Sequence, residues 1–242
     1  MSQPLFDDIV ARLHDHFDVT QVAEVTNHTP EATAAALREV DGVLVTLNER
    51  VGAAEIAEAS KLRAVCNLGV GYNNLDIAAL HAQGIVATNT PDVLTETTAD
   101  FGFALMMAAA RRVTEAEHHL RAGKWQGWNF KGLLGADLHG STLGILGMGR
   151  IGQGIAKRAS GFDMRVLYHN RSRLPADIER DCKASWVDFD TLFAQADHLV
   201  LVLPYSAASH HIVDAAALAK MQPTATLTNI CLLYTSPSPR DS

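Results

Sequence analysis

The sequence predicts an α/β protein in which parallel β-sheets are covered by helices. Short apolar runs of strand length alternate with segments of helical periodicity along most of the 242 residues. One glycine pattern, Gly147-x-Gly149-x-x-Gly152, lies between such a strand and such a helix. Some of the runs are apolar throughout, which is typical of parallel strands buried on both faces. The length is sufficient for two modest domains.

The composition indicates a packed globular chain and argues against several classes of function. Hydrophobic residues make up 48% and charged residues 19% of the sequence, which favours a core over disorder. The net charge of −7, without a long basic run, argues against nucleic acid as a partner. Cys66, Cys182 and Cys231 are far apart, so neither a disulfide framework nor a metal site is expected. Because no membrane-spanning run or signal-peptide pattern is found, we expect a cytoplasmic protein.

Residues 1–96 form the first predicted α/β unit. Its strands alternate with helices, which is the order expected of a parallel sheet. The first helix is amphipathic, with Ile9, Leu13 and Phe17 on one face. The predicted strands span residues 42–47, 62–68 and 85–90, and the predicted helices span residues 6–17, 33–40, 53–60 and 77–83.

A loop with two glycines, Gly69-Val70-Gly71, follows the second of these strands. Ligands of open parallel sheets bind beyond the carboxyl ends of the strands. Glycines at such a place leave backbone N–H groups free to approach an anion. From these residues alone, an anion site and an ordinary tight turn both stay open.

A long apolar helix is predicted over residues 96–112. Nearly every side of it is apolar, so we expect it to be buried between domains or subunits. A second helix and a loop rich in glycine and aromatic residues, at positions 125–137, come next. Because adjacent side chains point in different directions, we interpret His118–His119 and His210–His211 as solvated pairs rather than metal sites.

The glycine pattern has the surroundings that a dinucleotide site requires. It follows a strand at residues 143–146, opens a helix at residues 153–160, and precedes a second strand at residues 164–169. The Gly-Lys-Ser/Thr tripeptide of a phosphate-binding loop is absent from the sequence. A turn in some other α/β protein is the remaining alternative.

Each glycine of the pattern has a physical role in such a site. Gly147 allows the tight turn, Gly149 has no side chain to hold a pyrophosphate away, and Gly152 lets the helix pack close to the strand. The start of the helix, at Arg150 and Ile151, offers N–H groups and a partial positive charge to the phosphates.

The second strand ends in a basic turn that predicts a preference for NADPH over NADH. Asn170 lies where an NAD site usually carries a carboxylate that binds the ribose 2′-hydroxyl. Without that carboxylate a 2′-phosphate is not repelled, and Arg171, Ser172 and Arg173 can donate to it. A solvated basic turn is the alternative interpretation. The chain continues with a buried strand at residues 197–203, a helix at 215–221 and a strand at 224–230.

Several of these segments, taken in order, resemble the D-2-hydroxyacid dehydrogenases. They are the loop at residues 67–72 (NLGVGY), the segment at residues 90–96 (TPDVLTE) and the glycine pattern. The resemblance covers residues 4–230 and is closest to the branch of glyoxylate/hydroxypyruvate and 2-ketogluconate reductases. It implies a flavodoxin-like α/β substrate domain in residues 1–96 and a Rossmann-type, doubly wound parallel sheet in residues 97–230, both incomplete.

The resemblance also implies a function and a set of binding residues. Members of the family transfer a hydride between NAD(P) and a 2-keto acid, giving a D-2-hydroxy acid, and we expect a homodimer. Val70 and Gly71 match the loop that binds the substrate carboxylate, and Thr98 matches a residue near the nicotinamide. Leu203 and Pro204 match the loop beside the adenosine half. A non-enzymatic, dinucleotide-sensing corepressor with the same architecture is the alternative function.

The catalytic Arg, Glu and His of that family have no counterpart in the sequence. After Ile230 the chain continues with residues 231–242 (CLLYTSPSPRDS), which resemble a translated adapter used in DNA library preparation. We therefore expect a non-native tail and a fragment that is largely insoluble and inactive, whereas the extended gene product should be active. None of the nearby histidines lies in a matching motif: His169, His198, His210 and His211.

Overall fold

The computed structural model describes residues 5–20, 29–204, 206 and 208–231. The chain divides into two compact units, Met1–Val93 and Leu94–Ser242. The boundary expected from the sequence was at residue 96. Of the tail expected at residues 231–242, only Cys231 lies among the described residues.

The first unit contains a sheet of three parallel strands in the order β1-β2-β3. Val43 of β1 is paired with Val65 of β2, which in turn is paired with Ala87 of β3. The strands are shorter than predicted, but the described residues of this unit contain the three expected strands in the expected sequence order. The flavodoxin-like arrangement of this unit stays a prediction. The elements are β1 (Gly42–Val45), β2 (Ala64–Asn67), β3 (Val86–Thr88), α1 (Asp7–His14), α2 (Pro30–Leu37), α3 (Ala53–Ile56) and α4 (Ile77–Ala82).

Side-chain caps fix the starts of two helices in this unit. Thr29 accepts a hydrogen bond from the Ala32 N–H at 3.2 Å, and Pro30 occupies the first position of α2. Asp76 caps α4 by accepting from the Ala79 N–H at 3.0 Å. The helices cover a core that includes these fully buried side chains: Leu37, Val45, Ile56, Val65 and Leu80.

The predicted amphipathic helix near the start of the chain is α1, and it is shorter than expected. None of its residues is buried. Ile9 is 36% exposed, and Phe17, which the sequence placed on the same face, lies beyond the helix and is 65% exposed.

The second unit contains five parallel strands in the order β6-β5-β4-β7-β8. Counted from β4, this is the order 3-2-1-4-5 of the doubly wound, Rossmann-type sheet, which confirms the predicted fold class. The strands are β4 (Thr142–Leu146), β5 (Arg165–His169), β6 (Ala184–Trp186), β7 (His198–Leu201) and β8 (Thr226–Asn229). The helices are α5 (Thr95–Ala110), α6 (Val113–Arg121), α7 (Arg150–Ala159), α8 (Ala176–Cys182), α9 (Phe189–Gln195) and α10 (Ala215–Leu218).

Both faces of this sheet are covered. Ile145 and Tyr168 belong to a cluster on one face, and Leu146 and Leu167 belong to a cluster on the other. Successive side chains of a strand point to opposite faces, so strands apolar on both faces produce two cores. This explains the unbroken apolar runs in the sequence.

The long helix α5 is buried along one face rather than on every side. Its residues Ala99, Phe103 and Met106 are buried, whereas Phe101 is 60% exposed. The helix lies against α7 and β8, and a Cβ on Gly102 would lie 2.9 Å from Ile230 Cδ1. Within this unit, a helix packed on one side of a sheet buries only a stripe, and the expected burial of α5 between domains or subunits stays a prediction.

Candidate functional site

The glycine turn lies at the point where the strand order of the second sheet reverses. β4 pairs with β5 on one side and with β7 on the other. In open α/β sheets, ligands bind in the crevice outside the carboxyl ends of the two strands at this point. Gly147 follows β4 directly, with φ of +103°, and a Cβ on it would lie 2.4 Å from the Val202 carbonyl oxygen. Only glycine fits this conformation beside the end of β7.

The other two glycines of the turn differ in what surrounds them. A Cβ on Gly152 would lie 2.4 Å from the Gly147 carbonyl oxygen, so the chain itself requires glycine there. A Cβ on Gly149 would meet no described atom within 4 Å. Gly149 is also exposed. Two glycines are therefore needed for the fold, whereas the third leaves space that the described residues do not use.

The N-terminus of α7 faces this space with free donors. Gly149 is the N-cap residue and supplies no side-chain cap. Among the residues that the structure describes, no partner is found for the N–H groups of Ile151 and Gly152. Arg150, the first residue of the helix, is exposed. Free N–H groups and the helix dipole together favour an anion at this end.

The end of β5 is attached to the glycine turn by two hydrogen bonds. The Gly147 N–H donates to the His169 carbonyl oxygen at 3.1 Å, and the Met148 N–H donates to Asn170 Oδ1 at 2.7 Å. The amide oxygen of Asn170 therefore binds the turn itself. Asn170 occupies the position where an NAD site usually has a carboxylate, and it adds no negative charge beside the turn.

The arginines of the basic turn have different surroundings. Arg171 is exposed, as is Ser172. Arg173 forms a two-pronged ion pair with Glu179, with Nε–Oε1 at 2.9 Å and Nη2–Oε2 at 2.8 Å. This pair and the Tyr168 hydroxyl, which donates to Glu179 Oε1 at 2.7 Å, hold the pKa of Glu179 below its usual value.

Tyr168 joins this ion pair to the backbone of the basic turn. Its hydroxyl accepts from the Leu174 N–H at 2.8 Å. Burial, together with the hydrogen bond to Glu179, raises the pKa of Tyr168 to about 12. The contact between Tyr168 on β5 and Glu179 on α8 was not predicted from the sequence. No spacing pattern along the chain indicates that a buried strand residue will meet a particular residue of the next helix.

Three further predicted cofactor residues lie beside these elements. A Cβ on Gly147 would lie 3.0 Å from Leu203 Cδ2, so Leu203 borders the turn, and the exposed Pro204 follows it. Thr98 is half-buried near the start of α5. Its neighbour Ala99 packs on α7, where a Cβ on Gly154 would lie 2.8 Å from the Ala99 Cβ.

The predicted substrate loop in the first unit presents a row of backbone donors. The carbonyl oxygens of Gly69, Val70 and Gly71 accept hydrogen bonds at 3.1, 2.9 and 2.7 Å; the donors are Thr90 N, Asn89 Nδ2 and Asn67 Nδ2, respectively. The peptide bonds are trans throughout the described residues, so each following N–H points opposite to its carbonyl. The N–H groups of Val70, Gly71 and Tyr72 have no partner among the described residues.

The glycines of this loop are not in strained conformations. Gly71 has a φ outside the left-handed region, and a Cβ on it would meet only Leu47 Cδ2, at 4.0 Å. The backbone conformation at Gly71 therefore does not require glycine. Gly69 is tighter, since its Cβ would lie 3.1 Å from Leu47 Cδ2.

The histidines near the glycine turn make structural contacts or are exposed. His198 is 1% exposed, with Nε2 donating to the Asp137 carbonyl oxygen at 3.1 Å and Nδ1 hydrogen-bonded to Thr226 Oγ1 at 2.8 Å. His169 Nδ1 donates to the Val187 carbonyl oxygen at 2.8 Å. The rings of His210 and His211 are stacked 3.8 Å apart on the surface.

The described part of the chain offers neither a metal centre nor a membrane span. No group of three or more His, Cys, Asp or Glu side chains among the described residues could hold a metal ion. Likewise, no helix in the described part of the chain is both long and apolar enough to cross a membrane.

Comparison with known proteins identifies the family. The model of the D-isomer specific 2-hydroxyacid dehydrogenase NAD-binding domain matches residues 103–231. Glyoxylate reductase from Pyrococcus horikoshii is 40% identical over 225 residues, which cover 91% of this chain and 67% of that protein. Glyoxylate/hydroxypyruvate reductase B from Shigella boydii serotype 4 is 43% identical over 224 residues, covering 92% and 68%.

The structural comparison agrees with this result. The crystal structure of the TT0316 protein from Thermus thermophilus matches with a TM-score of 0.84 and 34% identity, over 94% of this chain and 71% of that one. The chain spans about two thirds of the length of the relatives it matches. The strand order, the glycine turn at the reversal point and these matches show that the chain belongs to the D-isomer specific 2-hydroxyacid dehydrogenase family.

Proposed function

We propose that this protein is an NAD(P)H-dependent oxidoreductase that reduces a 2-keto acid to the D-2-hydroxy acid. The observation that carries the proposal is the open space at Gly149, in front of the free N–H groups of α7. The relatives named glyoxylate reductase and glyoxylate/hydroxypyruvate reductase support the substrate class. Glyoxylate, hydroxypyruvate and 2-ketogluconate are the candidate substrates.

A nicotinamide dinucleotide, when bound, supplies the hydride that reduces the keto carbon. The turn from Gly147 to Gly152 fits its pyrophosphate, because Gly149 leaves room for it and α7 offers N–H donors and positive partial charge. The proposed cofactor-binding residues are Thr98, Gly147, Gly149, Arg150, Ile151, Gly152, Asn170, Arg171, Ser172, Arg173, Leu203 and Pro204.

NADPH is the proposed preferred form of the cofactor. The side chain of Asn170 is uncharged and holds the glycine turn, so it does not repel a 2′-phosphate. Arg171 and Ser172 are exposed beside it and can donate to that phosphate. Because Arg173 is paired with Glu179, we assign it the supporting role of fixing the turn, with Arg171 as the main cation.

The substrate carboxylate is proposed to bind at Val70 and Gly71. Their N–H groups, with that of Tyr72, form a row of free donors in the described structure. Backbone N–H groups that already point outward bind a carboxylate without a large cost of reorganisation. The row does not select among keto acids, since it contacts only the group that they share.

The test uses the complete gene product and follows absorbance at about 340 nm, where reduced nicotinamide absorbs. We expect glyoxylate and hydroxypyruvate to be reduced with NADPH preferred over NADH, and Arg171→Ala to lose about tenfold in NADPH affinity with little change for NADH. Arg180→Ala, which removes an exposed arginine from α8, is the matched control. NADPH binding without turnover of any keto acid would instead indicate a dinucleotide sensor. Equal affinities for the two cofactors would contradict the NADPH preference.

A cytoplasmic homodimer is the proposed state of the protein. Trp125, Trp128 and Phe130 are 54%, 77% and 79% exposed in a loop that follows α6. Exposed aromatic clusters of this kind mark protein interfaces. Size-exclusion chromatography with light scattering tests the assignment, and a monomer at micromolar concentration would contradict it.

A further inference from the structure

Three asparagines surround the substrate loop, and we call Asn67, Asn74 and Asn89 the asparagine clasp. We propose that the clasp residues are positioning residues that hold the loop carbonyls inward, so that the N–H groups of Val70, Gly71 and Tyr72 face a substrate carboxylate. The inference rests on the proposed carboxylate site. It adds to that site a third N–H donor and the side chains that orient the row.

Asn67 is the buried centre of the clasp. It is 2% exposed, and its Nδ2 donates to the Gly71 carbonyl oxygen at 2.7 Å. Its Oδ1 accepts from Asn74 Nδ2 at 3.2 Å. Both ends of the amide are therefore engaged, which fixes the direction of the Gly71 carbonyl and of the Tyr72 N–H in the same peptide.

Asn74 connects the clasp to the segment after β1. Its Nδ2 also lies 2.9 Å from the Thr46 carbonyl oxygen and 3.0 Å from the Glu49 carbonyl oxygen. Its Oδ1 is buried without a partner among the described residues, so the donor contacts determine the orientation of the amide. Asn74 thereby holds Asn67 in place.

Asn89 holds the middle peptide of the loop from the other side. It follows β3 directly, and its Nδ2 donates to the Val70 carbonyl oxygen at 2.9 Å. The next residue, Thr90, donates its N–H to the Gly69 carbonyl oxygen at 3.1 Å. The clasp and this single backbone contact account for all three inward carbonyls.

The peptide between Val70 and Gly71 needs such support because glycine resists rotation least. If this peptide turned over, a carbonyl oxygen would face the carboxylate where an N–H should be, and attraction would become repulsion. The Asn89 side chain supplies the hydrogen bond that opposes this rotation. Its loss should weaken carboxylate binding and leave the dinucleotide site in the other unit unchanged.

The experiment compares Asn89→Asp with wild type in the complete gene product. Aspartate has the same shape as asparagine but its ionised carboxylate cannot donate. Amide NMR shifts of residues 70–72 are followed during titration with oxamate, a carboxylate analogue of the substrate. NADPH affinity and thermal unfolding are measured in parallel. Asn73→Asp is the control for the added negative charge, because Asn73 is exposed and follows the loop directly in sequence.

We expect oxamate to shift all three amide signals in wild type and in Asn73→Asp. Asn89→Asp should bind oxamate about tenfold more weakly, lose the Gly71 shift and keep its NADPH affinity. Asn89→Ser, which keeps a donor, should recover part of the oxamate affinity and covers the case in which Asn89→Asp does not fold. If wild type shows the three shifts and both Asn89 variants show the same shifts and oxamate affinity, the clasp proposal is overturned while the carboxylate site stands. If wild type shows none, the carboxylate site and the clasp are both overturned.

Discussion

The two glycine loops of this protein resemble each other in sequence but are shaped by different forces. Gly69-Val70-Gly71 follows β2 in the first unit, and Gly147-Met148-Gly149 follows β4 in the second. Both come after the carboxyl end of a parallel strand, where ligands of such sheets bind. Gly147 has a φ of +103°, whereas neither Gly69 nor Gly71 lies in the left-handed region.

The dinucleotide loop is shaped mainly by steric limits. Cβ atoms on Gly147 and Gly152 would each lie 2.4 Å from a backbone carbonyl oxygen, so the turn can form only with glycine. In the substrate loop, side-chain amides of Asn67 and Asn89 direct the carbonyls. A loop shaped by sterics can be predicted from its glycines, whereas a loop shaped by amide donors depends on residues distant in sequence.

The largest expected difference in stability is between alanine substitutions at the first glycine of each loop. Gly147→Ala should lower the free energy of unfolding by about 3 kcal/mol or more, because it adds backbone strain and a clash with Val202. Gly69→Ala should cost less than about 1 kcal/mol, since the flexible end of Leu47 can move away. Chemical denaturation of both variants measures the difference. Equal losses would show that the two loops are not held differently.

A smaller effect tests whether the dinucleotide side also depends on side chains. Tyr168→Phe removes one donor to Glu179 and the acceptor of the Leu174 N–H, at a cost of about 1 to 2 kcal/mol. The pKa of Tyr168 is raised to about 12 when folded, above the unfolded value of about 10. Its contribution to stability is therefore complete below the unfolded pKa and is lost as pH rises through the folded pKa. The free energy of unfolding, measured across this alkaline range, should fall more steeply with pH in wild type than in Tyr168→Phe. Identical slopes in the two proteins would contradict the raised pKa of Tyr168 in the folded state.

The smallest effect on stability is expected at the last glycine of the substrate loop. Gly71→Val adds a side chain where only Leu47 lies near, so the free energy of unfolding should change by less than about 0.5 kcal/mol. The new side chain beside the Gly71 N–H should still raise the Michaelis constant for the keto acid strongly, with NADPH affinity unchanged. An unchanged Michaelis constant would remove this loop from the substrate site.

The same contrast explains how much could be predicted from the sequence. Local patterns were sufficient for seven of the eight strands that the structure describes, for the place of the glycine turn between β4 and α7, and for the fold class. They did not predict β6 (Ala184–Trp186), because three residues are too few to show a strand period. They were insufficient for the pair of Arg173 with Glu179 and for the asparagine clasp, because those contacts form only when separate elements come together. Apolar composition also did not show which face of α5 meets the sheet, and the burial of this helix between domains or subunits stays a prediction. The roles of the binding residues stay predictions.

The most direct test of the account is NADPH binding to Gly149→Val, measured by isothermal titration calorimetry. Gly149 has no described atom near its Cβ position, so this substitution should leave the fold intact and fill only the space assigned to the pyrophosphate. We expect wild-type stability and a loss of NADPH affinity of about a hundredfold or more, equivalent to about 3 kcal/mol. Binding of NADPH with wild-type affinity by a folded Gly149→Val variant would contradict the placement of the cofactor at this turn.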